Sequence, residues 1–94
     1  MGSIYSELPR WKSHKIVRAA QILEIEIQAA NAWRVNLDIG TAPGASQPST
    51  LGTLLHRDAV ASKQPSVGDY FVLYEDGYKS WSPKAAFEEG YARL

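Results

Sequence analysis

Asp76-Gly77, set between two runs of aromatic and β-branched residues, constrains this chain more than any other feature. Aspartate followed by glycine is the preferred pair for a two-residue hairpin turn of type I′, which needs positive φ at both positions. The flanks, Tyr70-Phe71-Val72-Leu73-Tyr74 and Tyr78-Lys79-Ser80-Trp81, suit a pleated, half-buried surface. A two-residue turn places Glu75 opposite Tyr78 and Tyr74 opposite Lys79. Ser82-Pro83 then reads as a helix start, the hydroxyl capping and the proline lacking an N–H that would be orphaned anyway. Gly90 reads as the stop, in the left-handed conformation. Gly68 is a backbone-conformation residue, and Asp69 fixes the start of the strand through its own backbone.

Upstream, Trp33, Val35, Leu37 and Ile39 alternate with Arg34, Asn36 and Asp38, the pattern of a half-buried strand. Leu23, Ile25 and Ile27 alternate with Glu24, Glu26 and Gln28, and the residues from His14 to Ile22 are apolar on both faces, as in a central strand. One long strand over His14 to Ala30 is the favoured reading, with a helix from Arg18 to Ala30 as the alternative. Asn31-Ala32 turns the first strand back into the second. Gly40 to Thr50 has no apolar period and reads as a loop. Thr53 is placed to cap a helix over Leu54 to Ala61, with Leu51, Leu54, Leu55, Ala59 and Val60 as its buried stripe. Met1 to Trp11 reads as an arm packed on the core.

The sum is β-β-α-β-β-α. The expected class is α+β: a small, strongly twisted antiparallel sheet or partly open barrel with two short helices. A single domain over residues 1–94 is expected, with an arm over 1–12 and a flexible loop over 40–50.

Lys plus Arg equals Asp plus Glu, ten each, so no global field draws the chain to nucleic acid or an anionic membrane. No cysteine is present, which excludes disulfides and thiolate metal sites and suits a reducing compartment. No apolar run approaches the ~20 residues of a membrane span. Nor does the N-terminal stretch, with its proline and glutamate, look like a signal peptide. These features lead us to expect a soluble intracellular protein.

Ser13-His14-Lys15-Ile16-Val17, Gly68-Asp69-Tyr70, the run from Tyr74 to Pro83, and Ala86 to Tyr91 carry a resemblance. The chain resembles a family of small uncharacterised tailed-phage and prophage proteins with a Gly-Asp-Tyr strand, a Tyr-x-Asp-Gly-Tyr-x-Ser-Trp-Ser-Pro motif and a Phe-Glu-x-Gly-Tyr ending. The likeness covers about two fifths of the chain and leaves Leu23 to Ser66 unmatched. It implies a phage accessory protein acting in the host bacterial cytoplasm, and brings no defined activity with it.

No recognisable site geometry for an enzyme emerges. No Cys is available as nucleophile, neither His14 nor His56 sits in a nucleophile context, and two His with scattered carboxylates give no metal spacing. No cofactor and no metal are expected. The glycines between Gly40 and Gly52 lack the Gly-Lys-Ser/Thr phosphate signature. The stronger signal is basic and aromatic: Trp11, His14, Lys15 and Arg18 at the first strand, Arg34 beside Trp33, and Tyr74, Tyr78, Lys79, Ser80 and Trp81 at the last hairpin. Rings stack on nucleobases while cations and hydroxyls take phosphates. Trp33 and Phe71 belong to the core, and Trp81 is divided between core and pocket.

The resulting expectation is a non-catalytic module, a homo-oligomer, that sequesters a small anionic nucleotide-type ligand derived from host immune signalling. Its pocket is expected between the first strand's basic residues, the loop from Gly40 to Thr50 and the last hairpin. The alternative is a protein–protein inhibitor of a host factor or a virion accessory protein, since exposed Tyr, Trp and Arg are interface residues. Neither a membrane nor sequence-specific nucleic acid is an expected partner.

Overall fold

A computed structural model describes residues 4–13, 16–56 and 64–94. A 3-10 turn, Ile4–Glu7, leads into β1 (Arg10–Lys12), β2 (Ile16–Ala29), β3 (Ala32–Asp38), β4 (Thr50–His56), β5 (Tyr70–Leu73), β6 (Lys79–Ser82), α1 (Lys84–Gly90) and β7 (Ala92–Arg93). Neighbours run in the order β4-β3-β2-β1-β7, while β5 pairs with β2 and β6, and every pairing is antiparallel. The chain is therefore mostly β, with seven strands and one short helix among the described residues. This corrects the β-β-α-β-β-α order with two helices.

β2 holds the sheet together because its two halves pair differently. Its first half lies between β1 and β5, and its second half pairs with β3. Apolar residues on both faces of the first half serve two cores. Ala20 and Ile22 join Leu8, Trp33, Val35, Leu37, Leu55 and Phe71 in an inner core. Val17 and Ala19 join Tyr70, Val72 and Phe87 in an outer core covered by α1. A register shift between Ile22 and Glu24 inserts one residue, so Ile25 packs against the same core as Ile22 despite its opposite parity. Beyond the shift, Glu24 and Glu26 face Asn36 and Arg34 on the wet side.

The expected helix from Leu54 is β4 as far as His56, and the rest of that span lies outside the described residues. Residues 50–56 pair one for one with 38–32, burying Thr53 and Leu55 and half-burying Leu51 while exposing Thr50, Gly52, Leu54 and His56. The open edge of β3 supplies a ladder in place of helical bonds. Thr53 caps nothing. Its hydroxyl instead sits 2.6 Å from the Tyr5 hydroxyl and accepts a bond from Lys79 Nζ at 3.2 Å. The N-terminal arm is likewise part of the fold, through buried Leu8, Tyr5 packed on the inner core, and β1 in the sheet.

The last hairpin falls where expected but one residue out of register. Leu73 pairs with Lys79 and Phe71 with Trp81, leaving Tyr74 to Tyr78 as the connection. Tyr74 N–H donates to Tyr78 O, Gly77 N–H donates to Tyr74 O, and Asp76 Oδ1 accepts from Tyr78 N–H at 2.9 Å. Only Gly77 among these residues has positive φ, at 89°, so the turn is a type I turn closed by a left-handed glycine and not type I′. A Cβ at Gly77 would meet nothing within 4 Å, which leaves backbone strain as the sole penalty. Gly77→Ala is expected to cost roughly 1–2 kcal/mol, and Gly77→Asn less, by chemical denaturation.

Ser82 ends β6, and Pro83 occupies the cap position with no side-chain cap bond. The first helical bond runs from Phe87 N–H to Pro83 O at 2.9 Å. Gly90 is the last helical residue with no positive φ, and the helix ends in extended backbone at Tyr91. Gly68, at φ 97°, takes the left-handed backbone, while the Asp69 carboxylate bonds not its own backbone but that of Ser66. Asp69 N–H donates to Ser66 O, and Asp69 Oδ2 accepts from Ser66 N–H at 2.9 Å.

Candidate functional site

Cross-strand register assembles the site. Arg10 lies opposite Arg18, Arg18 opposite Leu73, and Leu73 opposite Lys79, one row across β1, β2, β5 and β6. Paired residues share a face, so three cations and one leucine line up at one end of the inner face. Like charges directly opposite each other on a β pair are destabilising. Arg10 and Arg18 are such a pair by register.

At this end of the sheet two adjoining hollows make up a groove. One, about 390 Å³, is lined by Tyr5, Arg10, Arg18, Leu73 and Tyr74 among others. The other, about 550 Å³, is lined by Ile16, Tyr74, Glu75, Asp76 and Tyr78. Ile16, Tyr74 and Glu75 belong to both. The Tyr74 and Tyr78 rings lie 6.0 Å apart with 35° between their planes. Tyr78 is 53% exposed and Ile16 37%, an apolar rim fit to meet a flat ring.

Hydrogen bonds fix the groove's basic end. Arg18 donates from one guanidinium nitrogen to Leu8 O at 2.8 Å, which orients its side chain. Lys79 Nζ turns over the Tyr5 ring, 4.9 Å from its centroid. Burial pushes the Tyr5 phenol up, but the bonds to Lys79 and Thr53 and the Lys79 charge outweigh it, and its pKa falls below the ordinary phenol value. The second core behaves oppositely. Burial first, then the Glu88 carboxylate 2.7 Å away, raise the Tyr70 phenol to about 12. The same hydrogen bond, with that from Lys84, holds the Glu88 carboxyl low.

Of the residues nominated from sequence, Arg18, Tyr74 and Tyr78 line the groove, and Lys79 closes the cationic row. His14 and Lys15 lie outside the described residues. Trp81 turns inward, edge-on to Trp33 at 5.2 Å. Ser80 is half-buried opposite Val72, on the other face of β6 from Trp81. Trp11 packs into the outer core, 5.0 Å from Phe87 and 5.4 Å from Tyr70, its buried Nε1 unpaired among the described residues. Arg34 stands apart, lining a separate hollow with Glu24, Glu26 and Asn36.

The loop from Gly40 to Thr50 contributes nothing to the groove. It closes on itself, Ser49 N–H donating to Gly40 O at 2.7 Å, and only Gly40 of it borders a small cavity of about 170 Å³ near Trp11 and Arg93. Sequence reasoning missed Tyr5, Arg10, Ile16, Leu73, Glu75 and Asp76. The signal for Arg10 was its position beside Trp11 and Lys12 in an alternating triplet. No group of three His, Asp or Glu placed to hold a metal occurs among the described residues, and no helix there is long and apolar enough to cross a membrane. No family model, no curated protein and no solved structure matches the chain.

Proposed function

We propose that this groove binds a small anionic, nucleotide-type ligand without transforming it, and that the protein sequesters such a ligand in a host bacterial cytoplasm as a phage accessory protein. The observation that supports the reading best is the Arg10–Arg18 pair, like charges in direct register, in a hollow whose lining includes Tyr74, which also lines the hollow of Tyr78. A phosphate bridges two guanidiniums through charge-assisted bonds, and a nucleobase takes the tyrosine faces. The phage setting rests on the sequence resemblance, and the nature of the ligand as a host immune signal follows from that setting. Oligomer formation belongs to the same proposal. β4 pairs in the sheet with β3 alone among the described residues and carries neither proline nor a formal charge, so it lacks the usual protection against strand addition.

A thermal-shift panel of mononucleotides, cyclic dinucleotides and ADP-ribose-type molecules tests the reading. At a hundredfold excess over Kd a bound ligand stabilises by about 2.7 kcal/mol, on the order of 10 °C for a domain of this size. The ligand should be recovered unchanged by chromatography. A panel without a shift contradicts the proposal, and a converted ligand contradicts its non-catalytic part. Exposed Ile16 and Tyr78 also suit a second reading, docking of a host protein on the groove rim. A stoichiometric partner in a pull-down that Tyr78→Ala abolishes would favour it.

A further inference from the structure

Charge is not spread evenly along the groove. Arg10 and Arg18 line only its smaller part, Asp76 and Tyr78 only its larger part, and Glu75 lines both, at the join. One oxygen of Asp76 is taken by Tyr78 N–H at 2.9 Å, so Asp76 serves the turn, whereas Glu75 is exposed on the same connection.

Resting on the reading above, we infer that the groove selects a ligand with its negative charge at one end only and hydrogen-bond donors, amino or hydroxyl groups, from its middle onward. A nucleoside monophosphate has this polarity. Its phosphate meets Arg10 and Arg18, its ring covers Tyr74 and Tyr78, and base amino or ribose hydroxyl groups donate to the Glu75 carboxylate. A cyclic dinucleotide carries two phosphates on opposite sides of its ring, so seating one on the arginines drives the other toward Glu75 and Asp76. Like charges then face each other across the groove, which disfavours that ligand. Ionised carboxylates only accept hydrogen bonds, so Glu75 and Asp76 recognise donors and reject anions. Rejecting the wrong ligand by a placed repulsion is a general route to specificity.

The test is calorimetric titration of the full chain, wild type and Glu75→Gln, with adenosine 5′-monophosphate, cyclic di-adenosine monophosphate and inorganic phosphate at one ionic strength. Glu75 is exposed and makes no part of either core, so the variant keeps the fold. The monophosphate is expected to bind at least about tenfold tighter than the cyclic dinucleotide. Glu75→Gln should weaken the monophosphate and tighten the cyclic dinucleotide, narrowing the gap from both sides. A cyclic dinucleotide that binds wild type as tightly as the monophosphate, with both indifferent to Glu75→Gln, overturns the polarity and leaves anion binding standing. If none of the three probes binds, the anion-binding reading itself is overturned, and the polarity with it.

Discussion

Replacing Trp33 by alanine is expected to remove about 3–5 kcal/mol of stability. A domain of this size has roughly 5–15 kcal/mol in total, so Trp33→Ala should lose a large fraction of its stability. Trp33 is 1% exposed at the centre of the inner core, between Ile27 of β2 and Leu55 of β4, and Trp81 meets its ring edge-on at 5.2 Å. Truncation therefore opens a cavity and also removes an aromatic pair worth roughly 0.5–1.5 kcal/mol beyond its buried area. Because β3 and β6 do not pair, this contact is one that ties the two arms of the sheet together. Trp81→Ala should cost less, since Trp81 is only half-buried, and the double variant should fall short of the sum because the two rings touch. Urea denaturation followed by circular dichroism measures all three free energies without relying on tryptophan emission. Additive losses would show that the two rings are not coupled.

Phe87→Ala is expected to cost a similar amount, about 3–5 kcal/mol, but in a different place. Phe87 is the buried residue of a seven-residue helix, stacked on Tyr70 at 4.4 Å and on Tyr91 at 4.6 Å, with Trp11 edge-on at 5.0 Å. Helices this short do not hold in water on propensity alone. The exposed Lys84–Glu88 ion pair at 3.0 Å adds only a few tenths of a kcal/mol. Removing the Phe87 ring should release α1 and β7 while the inner core stays assembled. Hydrogen exchange should show amides of residues 84–93 losing protection and those of β3 retaining it. Uniform loss across both regions would mean that the two cores form one cooperative unit. Phe87→Leu, which keeps most of the apolar volume, should lose far less.

How much of this was legible in the sequence varies with the range of the interactions involved. The β2–β3 hairpin was readable because alternation and the Asn31 turn are local. The wet face beyond Ile22 was readable too, from Glu24 and Glu26, but the inserted residue that brings Ile25 onto the same core as Ile22 leaves no mark in composition. Asp76-Gly77 located the last turn but not its type. A two-residue turn would set Phe71 against Ser82 and Trp81 against Val72. The observed register pairs Phe71 with Trp81 and puts both rings against the inner core. That choice is made by packing, far from the turn. β4 was misread because Thr53 followed by two leucines looks like a capped helix until the open edge of β3 is known. At the site, Arg18, Tyr74, Tyr78 and Lys79 were found from residue type alone, while Arg10 was hidden in a segment that Pro9 made look like an arm. Trp11 and Trp81 have the chemistry of ligand platforms, and burial claimed both.

The central claim, that Arg10, Arg18 and the tyrosine hairpin form one anion-binding groove, is tested most directly by amide chemical-shift mapping with adenosine 5′-monophosphate at low ionic strength. Saturable shifts are expected at Arg10, Ile16 to Arg18 and Leu73 to Tyr78 alone, absent in an Arg10→Ala/Arg18→Ala variant and weakened by added salt. Shifts centred on Arg34 and Asn36, or shifts that persist in the double variant, would contradict it.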